Sequence, residues 1–195
     1  MTDLLPLMTY CLVMSGTPGP NNVMLTTAGA NFGYRGALPQ ILGIVVGGFL
    51  LTLACCLGLG TLFLAYPLAQ QVLRVGGALY LVWLAWKLTG ARISEAGALD
   101  RAPGFVHGAL FQLVNPKSWL KAITLASVFM PAWLSPWPAA LLVATLGALV
   151  GFPAISMWAL FGMAIRRVLT RPRAQRLFNL AMGGTLVVLA LLILR

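Results

Sequence analysis

Residues 4–34 contain no Asp, Glu, Lys or Arg, yet Thr17-Pro18-Gly19-Pro20-Asn21-Asn22 sits in their middle. About 20 apolar residues span a bilayer as a helix, so this stretch has the length of a membrane segment. Two prolines and a glycine in succession cannot continue that helix, because proline lacks an N–H and its ring clashes with the preceding turn. Lipid does not tolerate unsatisfied backbone, so the break must be buried in protein or line a cavity. A discontinuous membrane helix is a common sign of a transporter's binding site.

The composition agrees with a membrane setting. Of 195 residues, 60% are hydrophobic and 8% charged, and the mean hydropathy is +0.93; this describes a polytopic membrane protein rather than a soluble domain. The length leaves no room for a second, soluble domain, so residues 1–195 are expected to form one membrane domain. Asp3 without any neighbouring Lys or Arg, and the lack of a small-residue cleavage pattern, predict a retained first helix and not a cleaved signal peptide. Cys11, Cys55 and Cys56 lie in apolar runs. They read as small core residues, with neither a disulfide framework nor metal-ligand spacing.

Six spans are predicted: about Leu4–Thr27, Leu38–Ala65, Leu68–Leu88, Phe105–Met130, Ala139–Ile165 and Ala174–Leu194. The first and fourth carry breaks. The turn between the first two is Asn31-Phe32-Gly33-Tyr34-Arg35-Gly36. The uncharged run 36–73 is too short for two spans and a turn, so the second span is read as one long, tilted helix. Residues 89–104 form a polar loop, and Pro131–Pro138 reads as an interfacial turn anchored by Trp133 and Trp137.

Charge orients these spans. The loops after spans 1, 3 and 5 hold Arg35; Lys87, Arg92 and Arg101; and Arg166, Arg167, Arg171, Arg173 and Arg176. The opposite side has Arg74 and Arg195. The positive-inside rule therefore puts the basic loops in the cytoplasm and both termini outside. The net charge of +10 is thereby a matter of topology and not of nucleic-acid binding.

The two halves, about 1–90 and 105–195, echo each other. Gly43, Gly47 and Gly58 match Gly147, Gly151 and Gly162, and Leu73-Arg74-Val75-Gly76-Gly77-Ala78-Leu79 matches Leu180-Ala181-Met182-Gly183-Gly184-Thr185-Leu186. Pro20 matches Pro116. With three spans per half, the second must lie inverted relative to the first, an architecture that recurs in secondary transporters. The glycines four apart also suit close helix packing, which permits a homodimer.

Candidate function gathers at the breaks. Asn115-Pro116 is a helix start inside a membrane segment, since Asn is a preferred N-cap and Pro fits the first helical position. Gly19-Pro20 can do the same, with Asn21 and Asn22 in the first turn. Each half-helix N-terminus would offer free N–H groups and partial positive charge to a carboxylate. Lys117 adds a full charge, which at mid-membrane costs about 2.5–3.5 kcal/mol and so calls for a partner or a wet cavity. The other reading of Lys117 and Lys121 is that they snorkel to the interface. His107 reads as an interfacial residue. No nucleophile–base set is visible, so no enzyme and no cofactor are expected. A metal-cation exporter would need Cys, His or carboxylate clusters that this core lacks.

Thr17-Pro18-Gly19-Pro20-Asn21, together with Phe105-x-x-Gly108 and Asn115-Pro116-Lys117, resembles the paired signatures of the LysE/RhtB amino-acid exporters; Gly77-Ala78-Leu79-Tyr80-Leu81-x-x-Leu84 is similar to that family's third-helix pattern. Thr17 stands where many members have Ser, and Ala85 where Gly is common. The resemblance implies an exporter of amino acids in the bacterial inner membrane, surrounded by lipid and driven by an ion gradient, with the proton as the expected coupling ion. It also implies that Pro18, Gly19, Pro20, Asn115, Pro116 and Lys117 are motif residues. Threonine, homoserine or similar small neutral amino acids are the expected substrates, because no buried carboxylate is present to pair with a cationic one. The alternatives are a metal cation or another small metabolite.

Overall fold

A computed structural model describes residues 4–59, 65–89, 103–169 and 171–194, and these are helical wherever they are regular. Among them are seven α-helices: α1 (Leu5–Gly16), α2 (Pro20–Ala54), α3 (Pro67–Thr89), α4 (Phe105–Val114), α5 (Pro116–Val128), α6 (Pro136–Leu169) and α7 (Pro172–Leu194). Asp3, Arg195 and the polar loop with Arg92, Glu95, Asp100 and Arg101 lie outside the described residues. So does 60–64, the last part of the expected second span.

Both breaks are present. Thr17 has extended backbone after α1, Gly19 precedes α2, and Asn115 alone separates α4 from α5. α2 is not one rod. Gly33 has φ +70° and ψ 176°, in the left-handed half of backbone space that only glycine enters cheaply. A straight helix would separate Asn21 from Gly48 by about 40 Å, yet both line the same cavity. The chain therefore folds back at Gly33, and the six-residue turn expected at 31–36 is compressed into a single non-helical residue.

The expected regular helix to Ala65 is corrected. The α-helix ends at Ala54 and passes into a π-helical turn, Cys55–Leu59, in which Gly58 has φ +120°. A positive φ departs from the α-helical backbone, which hydropathy alone does not register.

α2 packs mainly on α6 and α4, and α3 on α7. The first arm of α2 meets α6 backbone to backbone: a Cβ at Gly29 would fall on the Ala159 carbonyl, and one at Gly162 on the Thr26 carbonyl. The second arm meets α4 in the same way, through Gly43, Gly47 and Gly108. Gly147 and Gly151 are different from Gly43 and Gly47. A Cβ at Gly151 would lie 3.4 Å from Ser15 Oγ and 3.6 Å from Lys121 Nζ, and at Gly147 the nearest atoms are side chains at 3.7 and 3.8 Å. These two glycines leave space; they do not mark a close crossing.

Large apolar side chains lie exposed along the helices, Leu177, Leu180, Leu191 and Leu192 of α7 among them. Pro20–Leu59, Pro136–Val168 and Pro172–Leu192 are long and apolar enough to cross a membrane. Trp133 and Trp137 are exposed beside the start of α6, as an interfacial anchor requires. Arg166, Arg167, Arg171, Arg173 and Arg176 are all exposed around the α6–α7 junction.

Candidate functional site

The two breaks face each other, and side chains fill the backbone bonds that each one forfeits. At the first, Val13 O accepts from Thr17 N at 2.9 Å and from Thr17 Oγ1 at 2.8 Å. Asn22 Nδ2 reaches back to Ser15 O at 3.0 Å and Thr17 O at 2.6 Å. Lys117 then arrives from the second break: its Nζ donates to Thr17 O at 2.7 Å, Thr17 Oγ1 at 2.8 Å and Pro18 O at 3.1 Å. An ammonium has three donors, and here all three have acceptors. Lys117 is therefore a bridge between the breaks and not a snorkelling side chain.

Gly19 makes that bridge possible. Its backbone is extended, φ −176°, which any residue adopts, so the requirement is for space. A Cβ there would lie 3.0 Å from Lys117 Cδ and 3.2 Å from Nζ.

At the second break Asn115 is the N-cap, its Oδ1 accepting from Lys117 N at 3.1 Å. Ser118 N and Trp119 N both donate to Asn115 O, and Pro116 has no N–H. The first N–H groups of α5 are thus satisfied internally, which corrects the expectation that both half-helix N-termini offer free donors. α2 differs: Gly19 supplies no side-chain cap, leaving the N–H groups of Asn21 and Asn22 without an intrahelical partner. Trp119 Nε1 donates to Leu113 O at 2.8 Å, filling an acceptor whose usual partner, Lys117 N, has turned to Asn115.

A polar network that sequence reading missed joins the breaks. Gln112 is 1% exposed. It exchanges bonds with Asn21, Asn21 Nδ2 to Gln112 Oε1 at 3.0 Å and Gln112 Nε2 to Asn21 Oδ1 at 3.2 Å. Gln112 Nε2 also donates to Gly108 O at 2.8 Å, and Ser118 Oγ donates to Gln112 Oε1 at 2.7 Å. Lys121, one turn beyond Lys117, donates to Ser15 Oγ at 3.0 Å. The only signal for these residues was a polar side chain one helical turn from a motif.

Between these groups lies a cavity of about 80 Å³ open to the centres of water molecules. About 10–15 Å³ of such space holds one water, so the cavity suits several waters or one small solute. Gly19, Pro20, Asn21, Asn22, Asn115 and Lys117 line it, as do Ser15, Gln112, Ser118 and Lys121; Ile44, Val45 and Phe49 supply an apolar wall. Thr17 and Pro18 stand behind Lys117. Pro116 faces away, against Gly77, where a Cβ would come within 2.7 Å of Pro116 Cβ. His107 is exposed, stacked on Phe111 at 6.2 Å. Among the described residues no group of three or more metal-ligating side chains occurs.

The N-cap gives a direct test. Asn115→Ala should cost about 1 kcal/mol of stability, read as a lower melting temperature in detergent, and Asn115→Ser should recover most of it. An Asn115→Ala protein that melts with the wild type would remove the cap from this account.

A family model described as LysE type translocator matches residues 12–195. The cysteine/O-acetylserine efflux protein of Escherichia coli strain K12 is 31% identical over 161 residues, 82% of each chain. The protein of the same name in Shigella flexneri serotype 5b is similar to the same extent. No solved structure matches the chain.

Proposed function

The chain belongs to the LysE family of translocators, and from that premise we propose that it exports small neutral amino acids from the bacterial cytoplasm across the inner membrane. The observation that carries this reading is the cavity between the two breaks, which is lined by two lysines. The chain's three acidic residues, Asp3, Glu95 and Asp100, all lie outside the described residues. A site rich in positive charge and poor in carboxylates suits a substrate that brings a carboxylate and no cationic side chain. The cavity volume suits threonine, homoserine, cysteine or O-acetylserine.

In this reading Gly19, Pro20, Asn21, Asn22 and Asn115 bound the substrate, while Thr17, Pro18, Pro116 and Lys117 hold the breaks in register and gate them. The six spans form two inverted repeats in one membrane domain, with the polar loop near 89–104 between them and both termini in the periplasm. The core packing supports the repeat. Leu51 and Cys55 cluster with Trp119 and Ala122. Ile155 and Ala159, which follow them by the same 104 positions that separate the matched glycines, cluster with Leu25 and Ala28. One half rocking against the other would expose the cavity alternately to each side, coupled to a proton gradient. The chain works as a monomer or homodimer among lipids, without cofactor or nucleic acid.

Proteoliposomes loaded with an amino-acid mixture test this. One or a few neutral amino acids should leave faster than from protein-free vesicles, faster still under an imposed pH gradient, with lysine and arginine retained. Release no faster than from empty vesicles would end the amino-acid reading. A preference for lysine or arginine would end the neutral-substrate one.

A further inference from the structure

The two lysines of the cavity are not equivalent, and the difference assigns them separate tasks. Lys117 has three acceptors for three donors, all of them on the first break. Lys121 has one among the described residues, Ser15 Oγ at 3.0 Å. It is half-buried and lines the cavity, with no carboxylate among the described residues to neutralise it. Even a half-buried charge with most of its donors unused gains when an acceptor completes its shell. An acceptor that enters the cavity can complete that shell, and an anion is the strongest one available.

From this the geometry points to Lys121, with Ser15, as the anchor for the carboxylate of the exported amino acid, leaving Lys117 as a fixed bridge between the breaks. The assignment rests on the export reading above and names the group that reads the substrate. A hydroxyl both accepts and donates, so Ser15 can keep its bond from Lys121 while giving its own proton to a carboxylate oxygen. Gly151 keeps the opposite wall clear, since a Cβ there would stand 3.4 Å from Ser15 Oγ and 3.6 Å from Lys121 Nζ. Asn21 and Asn22, at the uncapped start of α2, border the same space. Ile44, Val45 and Phe49 then face the rest of the substrate. Charge and volume together select a short, uncharged side chain.

The experiment measures competition against efflux of the amino acid that wild-type proteoliposomes release fastest. L-Cysteine is compared with cysteamine, which lacks the carboxylate, and 3-mercaptopropionate, which lacks the amine, all under reducing conditions. On the wild type, cysteine and 3-mercaptopropionate should compete and cysteamine should not. Lys121→Met should raise the KM by about 10–100-fold, the size of a lost charge-assisted hydrogen bond. Lys121→Arg, which keeps the charge, should recover most of that loss.

Equal competition by cysteamine and 3-mercaptopropionate on the wild type would overturn the assignment even if Lys121→Met proves unstable. So would a Lys121→Met protein with a KM within about twofold of the wild type, a change too small for a lost charged contact. Both outcomes leave export standing. A wild-type protein that releases no amino acid at all would instead remove the export reading itself.

Discussion

Lys117→Met is expected to lower the maximal export rate by about 100-fold, the equivalent of one or two charge-assisted hydrogen bonds. Methionine keeps much of the stem and removes three bonds to Thr17 and Pro18 at once. Asn22 still serves Thr17 O, so the carbonyl left without its donor is that of Pro18. That carbonyl is part-buried, so losing its donor should cost at most about 1–3 kcal/mol, and a lower melting temperature should accompany the lost rate. Lys117→Arg should not rescue, because the slot beside Gly19 leaves only 3.0 Å to Lys117 Cδ from a Cβ position and a guanidinium is wider and planar. The signature separates the two lysines: rate and melting temperature for Lys117, KM for Lys121. A Lys117→Met protein with normal melting temperature and a raised KM would make Lys117 a substrate ligand instead.

The second large effect is steric. Gly162→Val should abolish folding into the membrane or lower the melting temperature by more than 10 °C, since overpacking typically costs about 1–3 kcal/mol and here the obstacle is backbone. The Thr26 carbonyl occupies the place of the new Cβ, and Thr26 stands on the half-helix that begins at the first break. Side chains can change rotamer, but this carbonyl is fixed by the helix it belongs to. Gly184→Ala is the control: nothing lies within 4 Å of its Cβ position, and alanine in a helix interior should be neutral or stabilising by up to about 1 kcal/mol. Expression and melting temperature decide. A Gly162→Val protein that melts with the wild type would mean that the crossing yields more readily than close-packed backbones should.

What the sequence made legible was local. Proline and glycine announce both breaks because their effect on the backbone needs no partner. Asn115-Pro116 announces an N-cap for the same reason, and Gly33 lies inside the turn drawn around it. Most helix ends fall within a few residues of their expected places, since apolar length sets them. Ala54 is the exception, because a π-turn has no compositional mark. The network around the cavity was hidden. Asn21 and Gln112 are 91 residues apart, and Ser15 and Lys121 are 106 apart. Hydropathy and caps specify helices but not the register in which two of them meet. Lys121 could be read as snorkelling because length and charge suit that as well as burial. Gly147 and Gly151 mimic a packing motif while serving to leave room.

The first break has two side-chain custodians at very different distances along the chain. Asn22 is five residues from Thr17 and Lys117 is 100. A ribosome adding about 5–20 residues per second makes the asparagine almost at once and the lysine some 5–20 seconds later. For that interval Asn22 can hold the carbonyls of Ser15 and Thr17, while that of Pro18 waits for the lysine. The asparagine is thus the escort that brings the opened segment through insertion, and the lysine is the late-arriving clasp that makes it permanent.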